Sequence, residues 1–416
     1  MSERDSAASE SPPELWLLLP DPGDLPRVFG LTLAERLARS AVAAGVPVAR
    51  ELRAAASAPV PARERVLLVR ADCVLDERLL PALAQTPNTL LASQPPGSAR
   101  AGRALAACVP AARAGELRAW LSGSRELAPD GLGIRTPAQL VPAYTAALRK
   151  TQPPYAIDAS DPALPFDPRR IEEHLFRASY KGLTDLVTKW LWPAPALALV
   201  RRLAQWHVRP NAVTALSWLV TLAATWLFYR GAFGPGLVCA WLMTFLDTVD
   251  GKLARCTLTS SPIGNVLDHG LDLVHPPFWW LAYGLGLGAG HEVAMGIALA
   301  GYFLGRLEEG VFLLLYGIEI HTWRPLDGVF RTVTARRNPN LFLMSIGVLG
   351  GRPDLGLEMV ALWTAVSLAF HCVRIAQAAL VRRAGGEIRP WDEAVPAAGR
   401  PNARPGNRAQ EVAPPE

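Results

Sequence analysis

Asp247, Asp250, Asp268 and Asp272 stand within a stretch of chain whose surroundings are strongly apolar. Asp247 and Asp250 are three positions apart and Asp268 and Asp272 four, so on helices each pair shares one face. A turn between two such helices would bring the second pair back beside the first. Four converging carboxylates repel one another unless positive charge lies among them. Oxygen ligands at this density suit Mg2+ or Mn2+, above all where a phosphate supplies further oxygens. Unpaired carboxylates in hydrocarbon are costly, so a cation, a polar cavity or a bound substrate is expected beside them.

The residues between the pairs narrow the chemistry. Gly251, Ala254 and Gly264 are small where a larger side chain would keep a nucleotide from the acids. Arg255 offers a planar fork that matches phosphate. Carboxylates, a metal, small residues and a phosphate-pairing arginine describe a metal-assisted site for a diphosphate substrate.

The run Asp247-x2-Asp250-Gly251-x2-Ala254-Arg255-x8-Gly264-x3-Asp268-x3-Asp272 resembles, at every fixed position, the signature of the CDP-alcohol phosphotransferase (CDP-alcohol phosphatidyltransferase) family. The resemblance spans about 185–381. It implies transfer of a substituted phosphate from a CDP-linked alcohol, such as a CDP-diacylglycerol or CDP-inositol-like donor, to an acceptor hydroxyl with release of CMP. It also implies a two-metal site holding Mg2+ or Mn2+, with Asp247, Asp250 and Asp268 as ligands and Asp272 at or near the second ion. Asp272 is then the general base. Asp247, Gly251, Ala254, Arg255 and Gly264 contact or accommodate the CDP part. The acceptor is a hydroxyl-bearing lipid or polyol, the setting is phospholipid or polar-headgroup synthesis, and a homodimer fits the resemblance.

Elements able to position these residues can be read from hydropathy. Six spans are expected near 211–229, 235–255, 264–286, 292–318, 338–352 and 356–381, most close to the roughly 20 residues that cross hydrocarbon. An interfacial helix is expected around 186–206, with Trp190, Trp192 and Trp206 near the headgroups and Lys189, Arg201 and Arg202 facing lipid phosphate. Arg209, Lys252, Arg255, Arg324, Arg331, Arg336, Arg337, Arg382 and Arg383 all fall on one side if the spans alternate. That places both termini and the site's mouth on the cytoplasmic side of an inner membrane. Arg306, Glu308 and Glu309 lie inside the fourth span and must pair or line a cavity. Arg306, His321, Arg324, Arg331, Arg336 and Arg337 are the candidates for an anionic acceptor, with positive-inside anchoring as the plainer role of the later arginines.

The first part of the chain reads differently. "ELWLLLP" and "RVLLVRA" suit buried strands, and "TLAERLARSAVAAG" carries a helical stripe ending at a glycine. The expected plan is multidomain. A tail (1–13) leads to a small soluble α/β domain (14–150), then a proline-rich linker and connecting helix (151–185). A membrane-embedded domain (186–383) and a second tail (384–416) follow. The α/β part is similar to the cytidylyltransferase half of bifunctional enzymes that make CDP-inositol for an attached transferase. On that comparison "VLLVRADCVLD" holds a metal aspartate, Asp72. The glycine-rich nucleotide loop is reduced to "LLLPDPGDLP" with the single glycine Gly23, which points to a degenerate, inactive nucleotidyltransferase-like domain.

Composition excludes other classes. Net charge is +5, but the arginines flank apolar spans and no recognition helix or basic-aromatic platform is present, so nucleic acid is not expected. Five scattered cysteines form neither a disulfide framework nor a zinc cluster. Three competing readings remain. The α/β half could be active, giving a bifunctional cytidylyltransferase/phosphotransferase. The intramembrane acids could serve a transporter, although no inverted repeats are evident. A noncatalytic membrane scaffold is the third, against which the intact acidic set argues.

Overall fold

The computed structural model describes residues 11–20, 25–46, 48–53, 59–94, 103–123, 130–145, 148–162, 165–260 and 262–391, with backbone alone at 48–49, 262–263, 265–269 and 271–272. Gly23 of the expected nucleotide loop and most of both expected tails lie outside the described residues.

The first half of the chain contains β1 (Glu14–Leu19), the hairpin β2 (Arg27–Val28) and β3 (Leu31–Thr32), α1 (Leu33–Ala43), β4 (Val48–Arg53), β5 (Arg65–Arg70) and β6 (Cys73–Leu75). It continues through α2 (Leu79–Ala84), β7 (Thr89–Ala92), β8 (Ala104–Pro110), α3 (Ala114–Leu121), β9 (Gly133–Arg135) and α4 (Pro137–Leu140). The short strands β10 (Tyr144–Thr145), β11 (Lys150–Thr151) and β12 (Ala156–Asp158) follow. A mixed sheet runs in the order β4-β1-β5-β8-β7-β9. β1 is parallel to both β4 and β5, while β8 is antiparallel to β5 and β7.

Alternation along the strands explains the layers. Leu15, Leu17, Leu67 and Val69 pack against Leu37 and Ala41 of α1 and Leu79 and Leu83 of α2. Trp16, Leu18, Val66 and Leu68 turn to the other face, against Ala114 and Leu117 of α3. Both faces are covered, so β1 and β5 read as unbroken apolar runs rather than alternating ones. α1 starts at a capping box in which Thr32 and Glu35 satisfy each other's backbone N–H groups.

The second half is helical: α5 (Pro168–Ala178), α6 (Pro193–Gln205), α7 (Pro210–Tyr229), α8 (Phe233–Cys256), α9 (Pro262–Leu287), α10 (Glu292–Tyr316), α11 (Pro325–Arg331), α12 (Arg337–Leu349) and α13 (Pro353–Arg383). α7–α10, α12 and α13 lie close to the six expected intervals. Among the described residues, two of them, α7 and α13, are long and apolar enough to cross a membrane. α12 has 13 residues, about 20 Å of rise, which is short for a crossing. The expected continuous helix over 186–206 is instead split. A π-helical turn at Val187–Leu191 precedes α6, and Pro193 starts the new helix because it has no N–H to give to the preceding turn. Trp190 and Trp206 are largely exposed, at 62% and 66%, as an interfacial position requires, whereas Trp192 turns inward and packs on Trp241 and Phe245 of α8. Phe228, Met243, Trp279, Trp280, Tyr283 and Met344 form the middle of the bundle core.

The α/β half is docked on the bundle end where α8 finishes. Val28, Phe29, Leu33 and Val74 share one apolar cluster with Leu175, Val200, Leu246, Val249 and Leu253. Phe29 N–H donates to Glu172 Oε1 at 2.9 Å, and Glu172 Oε2 accepts from Arg201 Nε at 2.7 Å. Gly30, at φ +74°, sits so close to α6 that a Cβ would lie 2.6 Å from the Ala204 carbonyl oxygen. Gly45, at φ +73°, faces open space. Gly30→Ala is therefore expected to cost about 1–3 kcal/mol more than Gly45→Ala, because both strain the backbone but one also collides. Thermal unfolding of the two purified variants checks this.

Candidate active site

α8 carries Asp247 and Asp250 in its C-terminal half, roughly 9–14 Å before its last residue at 1.5 Å rise per residue. Asp250 is 3% exposed, and its Oδ2 accepts from Thr214 Oγ1 of α7 at 2.6 Å. Asp247 Oδ2 accepts from Arg337 Nη2, at the start of α12, at 2.6 Å. The described acids are thus held by one hydroxyl and one guanidinium from two other helices. Asp268 and Asp272 are placed by the backbone on α9, the helix that follows the turn after α8. Their side chains lie outside the described residues, and among those described no group of three His, Cys, Asp or Glu side chains gathers around one point.

The donor set of the described pair is all oxygen, anionic and enclosed, which fits Mg2+ or Mn2+ rather than a softer ion. Gly251 forms a notch beside it. A Cβ there would come 3.1 Å from Arg255 Nη2, so the guanidinium folds back along α8 over Gly251. Arg255 Nε is buried without a hydrogen-bond partner among the described residues. Ala254 is half-buried beside it, and Gly264 lies in the first turn of α9.

The surroundings of Arg255 are cationic. Lys252 Nζ donates to Ser179 O at 3.0 Å and sits 3.2 Å from the Tyr180 ring centroid. Lys150, on β11, donates to Ala178 O at 2.6 Å and to Arg177 O at 3.2 Å. Burial, and then the Arg255 and Arg78 guanidiniums, push Lys150 down to about 8. A cavity of about 390 Å3 opens nearby, lined among others by Phe29, Arg39, Arg209, Asn211, Thr257 and Thr259.

A second polar group is centred on Glu309 of α10. Arg306 Nη1 donates to Glu309 Oε2 at 3.1 Å, His321 Nε2 lies 3.3 Å from Oε1, and Arg336 Nη2 donates to Oε1. Arg331 Nη1 is buried near them without a hydrogen-bond partner among the described residues. Burial and then the Arg336 charge press the Arg331 pKa down. Four of the six acceptor candidates therefore converge. Arg337 instead joins Asp247, and since Arg336 is its chain neighbour, the start of α12 links the two groups. Arg324 stands apart: it is exposed, begins α11 and stacks 4.3 Å from the Trp323 ring.

Thr214 and the central role of Glu309 were not singled out from sequence. A threonine one turn into an apolar span beginning with "PN" carries no signal by itself, because its partner is 36 residues away.

In the α/β half, Asp72 is gripped by Arg70, with Nη2 to Oδ2 at 2.7 Å and Nε to Oδ1 at 3.0 Å. Arg70 Nη2 also donates to Asp158 Oδ1 at 2.9 Å. Burial acts to raise the Asp72 pKa, but the Arg70 guanidinium outweighs it and holds the carboxyl below its usual range.

The fold and this site define a helical bundle with an acid-bearing helix pair, capped at one end by an α/β domain. Residues 207–371 match the model of the CDP-alcohol phosphatidyltransferase family. The archaetidylinositol phosphate synthase of Pyrococcus horikoshii is 33% identical over 175 residues, which cover 40% of this chain and 84% of that protein. Cholinephosphotransferase 1 of Gallus gallus is 32% identical over 135 residues, 28% of this chain and 37% of that one. The chain thus spans about a third of the length of that cholinephosphotransferase. The solved structure of Mycobacterium tuberculosis phosphatidylinositol phosphate synthase with CDP-DAG bound matches with a TM-score of 0.36 at 16% identity, covering 43% of this chain and 92% of that one. The chain belongs to the CDP-alcohol phosphatidyltransferase family.

Proposed function

We propose that the protein transfers a substituted phosphate from a CDP-linked alcohol to an acceptor hydroxyl and releases CMP, in phospholipid or polar-headgroup synthesis. The observation that carries this reading is the enclosed pair Asp247 and Asp250 one turn apart, beside a glycine notch over which Arg255 folds. Asp247, Asp250 and Asp268 would hold Mg2+ or Mn2+, with Asp272 at a second ion. When bound, such ions neutralise charge on the diphosphate as its bond to CMP breaks. Arg255 pairs with a donor phosphate through its guanidinium, and Gly251, Ala254 and Gly264 leave the nucleotide room. Asp272 takes the proton of the acceptor hydroxyl, whose oxygen forms the new bond to phosphorus while CMP leaves with the electrons of the broken one. The excess of guanidinium over carboxylate around Glu309 suits an anionic acceptor or headgroup.

The setting is a multi-pass membrane domain of six spans, α7–α10, α12 and α13, with α6 at the interface. The α/β domain docks at the end carrying Arg209, Lys252 and Arg255, which supports a cytoplasmic mouth. That domain is read as a degenerate cytidylyltransferase, because the glycine-rich loop that would present backbone N–H groups to a nucleotide's phosphates is reduced to the single glycine Gly23. Full-length protein given CTP, Mg2+ and a phosphorylated polyol is expected to release no pyrophosphate; sustained release would support the bifunctional reading instead.

The test of the main reading is CMP release from purified protein in lipid, with CDP-diacylglycerol, CDP-inositol, CDP-choline and CDP-ethanolamine each paired with hydroxyl acceptors and the products identified by mass. No CMP from any pair would refute it. Arg255→Ala is expected to raise the donor KM about tenfold to a hundredfold, the worth of one or two charge-assisted contacts. An unchanged donor KM would remove Arg255 from the phosphate site.

A further inference from the structure

α8 does not end as a helix of its composition should. Thr259 N–H closes on Ala254 O at 2.9 Å across Leu258, which is left-handed at φ +54°. Glycine adopts that conformation freely, whereas leucine brings its Cβ against the backbone. Strained turns of this kind persist where their surroundings over-determine them. Here the surroundings belong to the other domain. Arg36, 8% exposed, donates through Nη1 to Cys256 O, and Arg39 Nη1 donates to Thr257 O at 2.8 Å. These carbonyls are among those a helix leaves unsatisfied at its C-terminus, where cations are also favoured by the helix dipole. Leu33, one turn before Arg36, packs in the same cluster as Val249 and Leu253. α1 therefore has one face on its own sheet, through Leu37 and Ala41, and another on the end of α8.

We propose that Arg36 and Arg39 are positioning residues for the donor half of the site: they hold the left-handed turn that ends α8 and, through it, Arg255 three residues earlier. The same turn leads directly into α9, which bears the other two acids. The α/β domain thus acts as a cis-acting brace whose contribution does not depend on binding a nucleotide of its own. This rests on the reading of Arg255 as a ligand of the donor phosphate.

The test uses the full chain in lipid nanodiscs, comparing wild type, Arg36→Ala/Arg39→Ala, and the double variant with Leu258→Gly added. Amide exchange in peptides covering 250–259 is expected to rise at least about tenfold in the double variant, while 14–19 and 212–228 keep their wild-type rates. The donor KM is expected to rise about tenfold with kcat changed less than about threefold, whereas mere loss of folded protein lowers kcat and leaves KM alone. Leu258→Gly, by removing the steric penalty at the turn, is expected to bring KM back to within about threefold of wild type. Unchanged exchange at the end of α8, or an unchanged donor KM despite faster exchange, overturns the proposal. If exchange rises across the sheet as well, Arg39→Ala and Arg39→Lys decide. A raised KM in the first alone supports the brace, and equal values overturn it. Absence of CMP release from the wild-type protein overturns the functional reading instead, and the brace then stands or falls on the exchange rates.

Discussion

Asp250→Asn is expected to lower CMP release by about 10³-fold at an Mg2+ concentration just sufficient for the wild type, since a metal-held diphosphate is worth several kcal/mol to the transition state and each 1.4 kcal/mol is tenfold. Asp250 is the more enclosed of the two described acids, and one of its oxygens is already committed to the Thr214 hydroxyl. The amide keeps the shape and can still meet Thr214, so the fold should survive. What is lost is the negative charge and one hard oxygen. Initial rates of CMP formation, alongside a thermal melt to show retained folding, measure the effect. Raised Mn2+ should recover part of the rate, because the defect lies in cation affinity. Turnover within about tenfold of wild type would remove Asp250 from the ligand set.

Asp272→Asn is expected to produce a loss of about 10²–10⁴-fold, the usual range for removing a general base. Its signature differs from that of Asp250→Asn. The donor should still bind, with KM within a few-fold, because the hydroxyl proton has lost its acceptor while the CDP contacts remain. Raised Mn2+ should restore less than it does for Asp250→Asn, because refilling the second ion's site does not replace the lost base. Donor binding measured separately from CMP release distinguishes the two variants, and normal turnover of Asp272→Asn with Mg2+ would reject the assigned role.

These two predictions draw on information of different kinds. Asp272 and its spacing from Asp268 are readable along the chain, because residues three and four apart share a helical face in any context. The same local periodicity made β1, β5, α1 and the helices α7–α10, α12 and α13 readable, although it left their ends uncertain and missed α11. The break at Pro193 turned one expected interfacial helix into a π-helical turn and α6, and α13 runs past the expected span at both ends. The partners of the site were not readable. Arg337 reaches Asp247 across 90 residues, and Arg336 reaches Glu309 across 27. Nothing in local pattern distinguishes such an arginine from one that merely anchors a helix end to the cytoplasmic face.

The order and spacing of the acids, glycines and Arg255, the long helices of the bundle and the change from α/β to helical structure were determined by the sequence itself, since each depends on neighbours within a turn or two. Only the tertiary structure decided which guanidinium faces which carboxylate. It turned Arg336 to Glu309 and Arg337 to Asp247, put Arg70 between Asp72 and Asp158, and set Arg36 and Arg39 on the end of α8. The reason is physical. A buried charge takes whichever opposite partner the packing of distant elements brings within hydrogen-bond reach, and that packing is settled by the whole core rather than by any segment of it.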